Sequence, residues 1–189
     1  MIFYFTGTGN SLYAAKALAH DGEALISMID AAREKAFRYT LYDNEALGFV
    51  FPVYFYTVSD PVLEFVRNLT VENASFVYAV IPCGAGIGPA GGFLKSELKK
   101  RGLALQRVDA LIVPDGALIF YERGHPEKMQ AQLQASTMEI VSFRRAIERR
   151  EANKISGSAT AGKLGLAAYH ACMSTRKFYA DDKCIHCGK

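Results

Sequence analysis

The sequence has no tryptophan and only four cysteines among its 189 residues. So few cysteines do not supply the disulfide framework of a small secreted protein. No run of about eighteen apolar residues occurs, so no membrane-spanning helix is predicted. The opening MIFYF also lacks the basic flank and the cleavage site of a signal peptide. We therefore expect a cytoplasmic protein without a membrane span.

An excess of one charge is also missing. Lysine and arginine together number 22 against 19 acidic residues, for a formal net charge of +3. Without a long basic tract, nucleic acid is not predicted as a partner. Half of the residues, 50%, are hydrophobic, which is enough for a substantial core and excludes disordered and fibrous proteins.

Apolar runs of strand length alternate with segments of helical periodicity along the chain. The predicted strands are residues 2–5, 23–29, 47–54, 76–81 and 103–113, and the predicted helices are residues 11–20, a segment starting at Asp60, and residues 92–101, 126–150 and 166–173. This alternation predicts an α/β fold: one doubly wound, five-stranded parallel sheet with helices on both faces.

The composition changes near the end of the chain. Residues 1–150 are predicted to form one domain. The stretch ANKISGSATAGKLG, rich in small and polar residues, predicts a linker or loosely packed segment, so residues 151–177 are interpreted as a linker and a short helix. Residues 178–189 form a separate terminal segment that ends on two cysteines.

The first predicted strand leads into a glycine-rich loop, TGTGNS, directly before a helix. Its glycines let backbone N–H groups close on an anion, and the helix N-terminus favours negative charge. The lysine of a Walker loop is missing, and Leu12 stands where a dinucleotide-binding loop needs its third glycine. The loop therefore predicts a site for a terminal phosphate monoester, with a turn that binds nothing as the alternative. Its residues are Thr6, Gly7, Thr8, Gly9, Asn10 and Ser11.

The stretch YFTGTGNS resembles the phosphate loop of flavodoxins, in which threonine or serine, any residue, threonine, glycine, any residue, and threonine or serine follow one another. Thr6, Thr8, Gly9 and Ser11 fit this pattern. The resemblance implies a flavodoxin-like sheet with strand order 2-1-3-4-5 and FMN as the cofactor. It also implies that Thr6, Thr8, Asn10 and Ser11 lie on the phosphate side, with backbone N–H groups between them.

Two further loops follow the third and fourth predicted strands, at the same edge of the sheet. The aromatic stretch of the first could form a wall against a flat ring, with completion of the core as the alternative. The second is rich in glycine, which allows close backbone approach, and Pro89 excludes a Cys-x5-Arg phosphatase loop. By resemblance the two loops flank the flavin ring. Their candidate residues are Pro52, Val53, Tyr54, Phe55, Cys83, Gly84, Ala85, Gly86 and Gly88.

The chain ends on CIHCGK, a C-x2-C motif. In isolation it could be half of a zinc site, a redox dithiol or the start of an iron–sulfur motif. Together with FPVYFYTVSDPVLEFV and CGAGIG, the ending DDKCIHCGK resembles a bacterial family in which a flavodoxin domain precedes a 4Fe-4S ferredoxin domain. The third and fourth cluster cysteines are absent. We therefore expect Cys184 and Cys187 to bind a cluster only in a longer chain, of which this one is a fragment.

These observations leave three functional hypotheses. The leading one is an FMN-binding electron-transfer flavoprotein that exchanges electrons with redox partner proteins and, in the intact protein, with linked 4Fe-4S clusters. The second is an FMN-dependent NAD(P)H or quinone reductase. The third is a flavodoxin-fold scaffold without redox activity, in which the terminal cysteines form half of a zinc-mediated interface. No catalytic triad is recognised, because the four histidines lie far apart in the sequence.

Overall fold

The computed structural model describes residues 1–114, 126–173 and 179. Residues 115–125 and the segment with Cys184 and Cys187 lie outside this description. In chain order the elements are β1 Ile2–Tyr4, α1 Asn10–Leu18, β2 Leu25–Ser27, α2 Met28–Arg33, β3 Arg38–Thr40, β4 Ala46–Val50, α3 Asp60–Asn68, β5 Thr70–Glu72, β6 Phe76–Cys83, α4 Ala90–Lys99, β7 Leu105–Ile112, α5 Pro126–Glu148 and α6 Ala159–Cys172.

The main sheet has five strands in the order β2-β1-β4-β6-β7, and every neighbouring pair is parallel. Numbered within this sheet, the order is 2-1-3-4-5. This confirms the predicted doubly wound, flavodoxin-like α/β fold.

Both faces of the sheet are covered. Successive strand residues point to opposite faces, and in β1 the side chain of Ile2 belongs to one core cluster while that of Phe3 belongs to the other. The cluster around Phe3 includes residues of α2, α3 and α4, and the cluster around Ile2 includes residues of α1 and α5. All eight residues of β6 are buried, as expected for a central strand with helices on both sides.

Three short elements were missed by the sequence analysis. Strands β3 and β5 form a separate two-stranded parallel sheet, and α2 begins within the predicted second strand. Ser27 ends β2 and also caps α2, because its Oγ accepts a hydrogen bond from the Asp30 N–H at 3.3 Å. Strands of three residues with half-exposed side chains carry too little periodicity to be recognised.

The predicted third strand also ends early. Strand β4 stops at Val50 rather than at residue 54. Pro52 has no N–H to donate to a neighbouring strand, and Tyr54 already belongs to a tight turn, in which it pairs with Thr57. The residues after Val50 therefore form a loop at the carboxyl edge of the sheet.

Residues 151–158 have no regular secondary structure, but they are bonded to the edge strand β7. The backbone N–H of Asn153 donates to Gln106 O at 3.1 Å. Its side chain accepts from the Val108 N–H and donates to Val108 O, each at 3.0 Å. These bonds cover part of an otherwise open sheet edge. The division of the chain into domains and a linker stays a prediction.

Helix α6 begins at Ala159, earlier than the predicted start at residue 166, and Ser158 caps it by accepting from the Ala161 N–H at 3.1 Å. The helix packs closely on α4. A Cβ added at Gly162 would overlap the side chain of Phe93, which is fully buried. No helix in residues 1–114 and 126–173 is long and apolar enough to cross a membrane.

Replacing Gly162 with alanine tests this packing. A helical Gly→Ala change in open space stabilises a protein by about 0.5–1 kcal/mol. Here we expect the opposite sign, a loss of about 1–3 kcal/mol, because the new methyl group overpacks the contact with Phe93. Urea unfolding measures the change. Lys163→Ala, at an exposed position of the same helix, is the control and should change stability by at most about 0.5 kcal/mol. A stabilised Gly162→Ala protein would show that α6 is not docked as described.

Candidate functional site

Three loops meet at the carboxyl ends of the sheet strands: the first loop (residues 5–9, after β1), the aromatic loop (residues 52–57, after β4) and the glycine loop (residues 84–89, after β6). A Cβ on Gly7 of the first loop would lie 2.9 Å from the Tyr54 hydroxyl oxygen. A Cβ on Gly88 of the glycine loop would lie 2.7 Å from Cβ of Tyr56. The aromatic loop therefore contacts both of the others.

The first loop presents backbone donors to solvent. Gly9 has φ 97°, a left-handed conformation that favours glycine, and its N–H donates to the Thr6 hydroxyl oxygen at 3.0 Å. No side chain among the described residues caps α1, so the N–H groups of its first turn have no partner within the helix. Gly7, Thr8 and Gly9 are exposed. This arrangement can accept an anion.

The two polar side chains at the start of α1 are less available than predicted. Ser11 is buried, with 1% of its surface exposed. The Asn10 side-chain amide donates to Pro114 O at 3.4 Å, which ties the start of α1 to the segment after β7. Of the four side chains that the flavodoxin resemblance assigns to the phosphate, those of Thr6 and Thr8 lie in the loop itself.

The aromatic loop has an unusual backbone. The N–H of Tyr54 donates to Thr57 O at 3.4 Å and the N–H of Thr57 donates to Tyr54 O at 3.1 Å. The two residues between them, Phe55 and Tyr56, have φ of 51° and 57°, values that such a turn normally gives to asparagine and glycine. Bulky residues in this region are strained.

The aromatic rings of this loop are not part of the core. Tyr54, Phe55 and Tyr56 keep 37%, 42% and 56% of their surface exposed, so the alternative that they complete the core is wrong. Pro52 and Val53 are half-buried beneath them, and Val53 packs against the core. The exposed rings form an apolar surface next to the first loop.

The glycine loop offers backbone rather than side-chain groups. Cys83 ends β6, is buried, and accepts the Val113 N–H at its carbonyl oxygen at 3.0 Å. Gly84, Ala85 and Gly88 are exposed, and a Cβ added at Gly86 would meet nothing within 4 Å. A ligand could therefore approach the backbone of this loop closely.

One contributor to this region was missed by the sequence analysis. The ring of Tyr169, on α6, stacks on Tyr54 with centroids 6.4 Å apart and planes inclined by 22°. Its edge meets Phe55 at a centroid distance of 5.8 Å. Next to it, His170 Nε2 lies 2.6 Å from Asp60 Oδ2 at the start of α3. The sequence predicts a short helix here but gives no signal that brings it to this edge of the sheet.

Burial, and secondarily the nearby Tyr169, raises the pKa of the Tyr54 hydroxyl above its ordinary value. The hydroxyl therefore stays protonated at neutral pH and can donate a hydrogen bond. It points toward the first loop, where Gly7 lies.

No metal centre accompanies these loops in the described part of the chain. Residues 1–114, 126–173 and 179 contain no group of three or more His, Cys, Asp or Glu side chains that could hold a metal ion. The predicted cluster ligands Cys184 and Cys187 lie outside these residues, so their role stays a prediction.

A cleft of about 450 Å³ lies at the opposite end of the sheet, near the first residues of β4 and β6. Several of its side chains are paired with each other or with the backbone. Arg144 contacts His20 at 2.9 Å and Glu148 at 3.2 Å, and Arg150 donates to Asn44 O at 2.9 Å. We assign no function to this cleft, because the predicted residues lie elsewhere.

No protein-family model matches the sequence, and no curated protein matches it significantly. Among solved structures, similarity is found to the Trp repressor binding protein from Bacillus subtilis, at 13% identity and a TM-score of 0.43 over 72% of this chain and 94% of that one. Azoreductase AzrA is similar at 13% identity and a TM-score of 0.42, over 76% of this chain and 97% of that one. The azoreductase from Bacillus anthracis str. Sterne is similar at 12% identity and a TM-score of 0.43, over 76% of this chain and 97% of that one. Similarity this low carries no argument about function, and the flavodoxin-like assignment rests on the strand order.

The contact between the first loop and the aromatic loop can be tested by a double-mutant cycle. Gly7→Ala should lower the free energy of unfolding by about 1 kcal/mol, because the added methyl group displaces the Tyr54 hydroxyl. In a Tyr54→Phe background this loss should disappear, which gives a coupling energy of about 1 kcal/mol, within the range found for residues in contact.

Gly86→Ala is the matched control, since its new Cβ meets nothing within 4 Å and it has the same effect on the unfolded chain. Equal losses for Gly7→Ala in both backgrounds would mean that the two loops are not in contact.

Proposed function

We propose that the chain binds FMN at the three loops and uses it in oxidoreduction. The observation that carries the proposal is the contact between Gly7 and Tyr54 at the point where the strand order reverses. Strand β1 has β2 on one side and β4 on the other, and ligands of doubly wound sheets bind in the crevice at such a point. An anion site and an aromatic surface meet there.

The phosphate side of FMN fits the first loop. A phosphate monoester needs several donors in a small space, and the first turn of α1 together with exposed residues 7–9 supplies them. The hydroxyl groups of Thr6 and Thr8 add side-chain donors. Gly9 leaves open space where a side chain would stand, so its backbone is accessible.

The ring side fits the other two loops. Exposed Tyr54 and Phe55 would contact the flat face of the flavin ring. The backbone of Gly84 and Gly86 would meet its polar edge. A bound flavin supplies a centre that accepts and donates electrons, while these residues would orient it and leave one edge open to solvent.

The second part of the proposal is the redox partner with which the flavin exchanges electrons. Transfer to linked 4Fe-4S clusters is supported by the resemblance of the terminal C-x2-C segment, whose residues lie outside the described part of the chain. An FMN-dependent NAD(P)H or quinone reductase needs only a flavin that a substrate can reach, and all three loops contain exposed residues. We therefore place the reductase first and the electron carrier second.

Cofactor binding is tested by adding excess FMN to the purified chain, desalting, and recording the visible spectrum. We expect the flavin bands to stay with the protein. Thr8→Glu should weaken FMN binding more than tenfold, because one carboxylate near the doubly charged phosphate costs about 1 kcal/mol per unit charge even in water. Riboflavin, which lacks the phosphate, should bind the variant and the parent chain equally.

Gln134→Glu, an exposed position on α5, adds the same charge elsewhere and serves as the matched control. Loss of FMN and riboflavin binding together would assign Thr8 to the ring side instead. A parent chain that retains no FMN after reconstitution would refute the proposed function.

The use of the flavin is tested by adding NADH or NADPH to the reconstituted protein without oxygen. We expect one of the two to bleach the flavin bands, because a nicotinamide can reach a flavin that is held by exposed loops. Reduction by dithionite but by neither nucleotide would favour the electron carrier, which takes its electrons from a protein.

A further inference from the structure

Helix α6 is attached to the aromatic loop through its backbone. The Thr57 hydroxyl donates to Gly162 O at 2.7 Å, in a buried position. One turn later, a Cβ added at Gly165 would lie 3.3 Å from both Phe55 O and Cβ of Thr57. These two glycines therefore let the helix approach the loop closely.

The same helix holds the loop through Tyr169. Its ring lies nearly parallel to that of Tyr54 and meets Phe55 with its edge. Aromatic pairs of this kind contribute about 0.5–1.5 kcal/mol beyond burial. The ring of Tyr169 therefore contacts both Tyr54 and Phe55, the two aromatic residues that the proposed function places against the flavin.

The loop needs such support because its backbone is strained. Two bulky residues in succession, Phe55 and Tyr56, have positive φ. Conformations of this type persist only where the surroundings hold them, and the turn's own hydrogen bonds, at 3.1 and 3.4 Å, are few. The contacts from α6 add to the support that Gly7 and Gly88 give to Tyr54 and Tyr56.

From these contacts we propose that Tyr169 is a positioning residue for the ring side of the site. It holds Tyr54 and Phe55 in the conformation in which a flat conjugated ring can stack on them. The inference rests on the proposed function, since it concerns how the same site takes the flavin ring. Among the described residues, the ring contacts of Tyr169 are with Tyr54, Phe55 and His170, so we expect its effect on the ring side and not on the phosphate.

The test compares Tyr169→Ala, Tyr169→Phe and a control, Tyr42→Ala, which removes a tyrosine that is 85% exposed. Helix α6 should stay docked in all three, because the contacts of Gly162 with Phe93 and of His170 with Asp60 remain. Two quantities are measured: the dissociation constant of FMN, from quenching of flavin fluorescence, and the inhibition constant of inorganic phosphate as a competitor.

We expect Tyr169→Ala to weaken FMN binding roughly two- to tenfold, the range that corresponds to one aromatic pair. Tyr169→Phe should restore binding, and the phosphate inhibition constant should be the same in all proteins. A readout without flavin is amide exchange of Thr57, whose N–H donates to Tyr54 O. Its exchange should be several-fold faster in Tyr169→Ala alone.

FMN binding to Tyr169→Ala that is as tight as to Tyr42→Ala, or tighter, would overturn this inference while leaving the proposed function intact. Tighter binding would mean that Tyr169 occupies the position of the ring. Unchanged exchange of Thr57 would also overturn it. Failure of the parent chain to bind FMN refutes the proposed function itself, and with it the role of Tyr169 toward a flavin.

Discussion

The site depends on one constraint, the burial of strands β4 and β6 between two helical layers. Such strands cannot leave backbone groups unpaired, so β4 is parallel-paired to β1 and β6, and β6 to β7. Parallel pairing places the carboxyl ends of the strands at one edge. Strand β1 has β2 on one side and β4 on the other. The strand order reverses there, and the opening that this leaves lies beside the first loop and the aromatic loop.

The main strands could be predicted because their signals are strong, whereas their order in the sheet was implied by the flavodoxin resemblance of the first loop. Continuous apolar runs mark β4 and β6, and turns or helices separate them along the chain. The elements that were missed carry weak local signals and depend on distant partners. Strand β3 exists because it pairs with β5. Residues 151–158 are rich in small and polar residues, and one of these, Asn153, bonds to the backbone at the edge of β7. Composition cannot distinguish a polar residue that satisfies an edge strand from one that faces solvent.

The residues of the candidate site also fall into those that a local sequence pattern predicts and those that it does not. The left-handed Gly9 and the uncapped start of α1 follow from a local pattern, so the first loop was predictable. Ser11 fits the same pattern but is buried, because the pitch of α1 turns it toward the protein interior. Tyr169 was beyond sequence reasoning, since it reaches Tyr54 only through the packing of α6 on α4. Local patterns therefore indicate the proposed phosphate side of the site, and long-range packing builds the proposed ring side.

The charge of the three loops bears on whether the proposed phosphate side or the proposed ring side would contribute more to the affinity for FMN. None of residues 5–9, 52–57 and 84–89 is lysine or arginine, so a phosphate would be held there by neutral donors and a helix N-terminus. A helix terminus contributes about 0.3–1 kcal/mol, and up to about 2 where it is partly buried. Burying an aromatic ring of about 150–250 Å² contributes several kcal/mol at about 25 cal/mol per Å². The ring contacts should therefore supply most of the binding free energy, and the shape of the aromatic loop, which α6 supports, should decide whether they form.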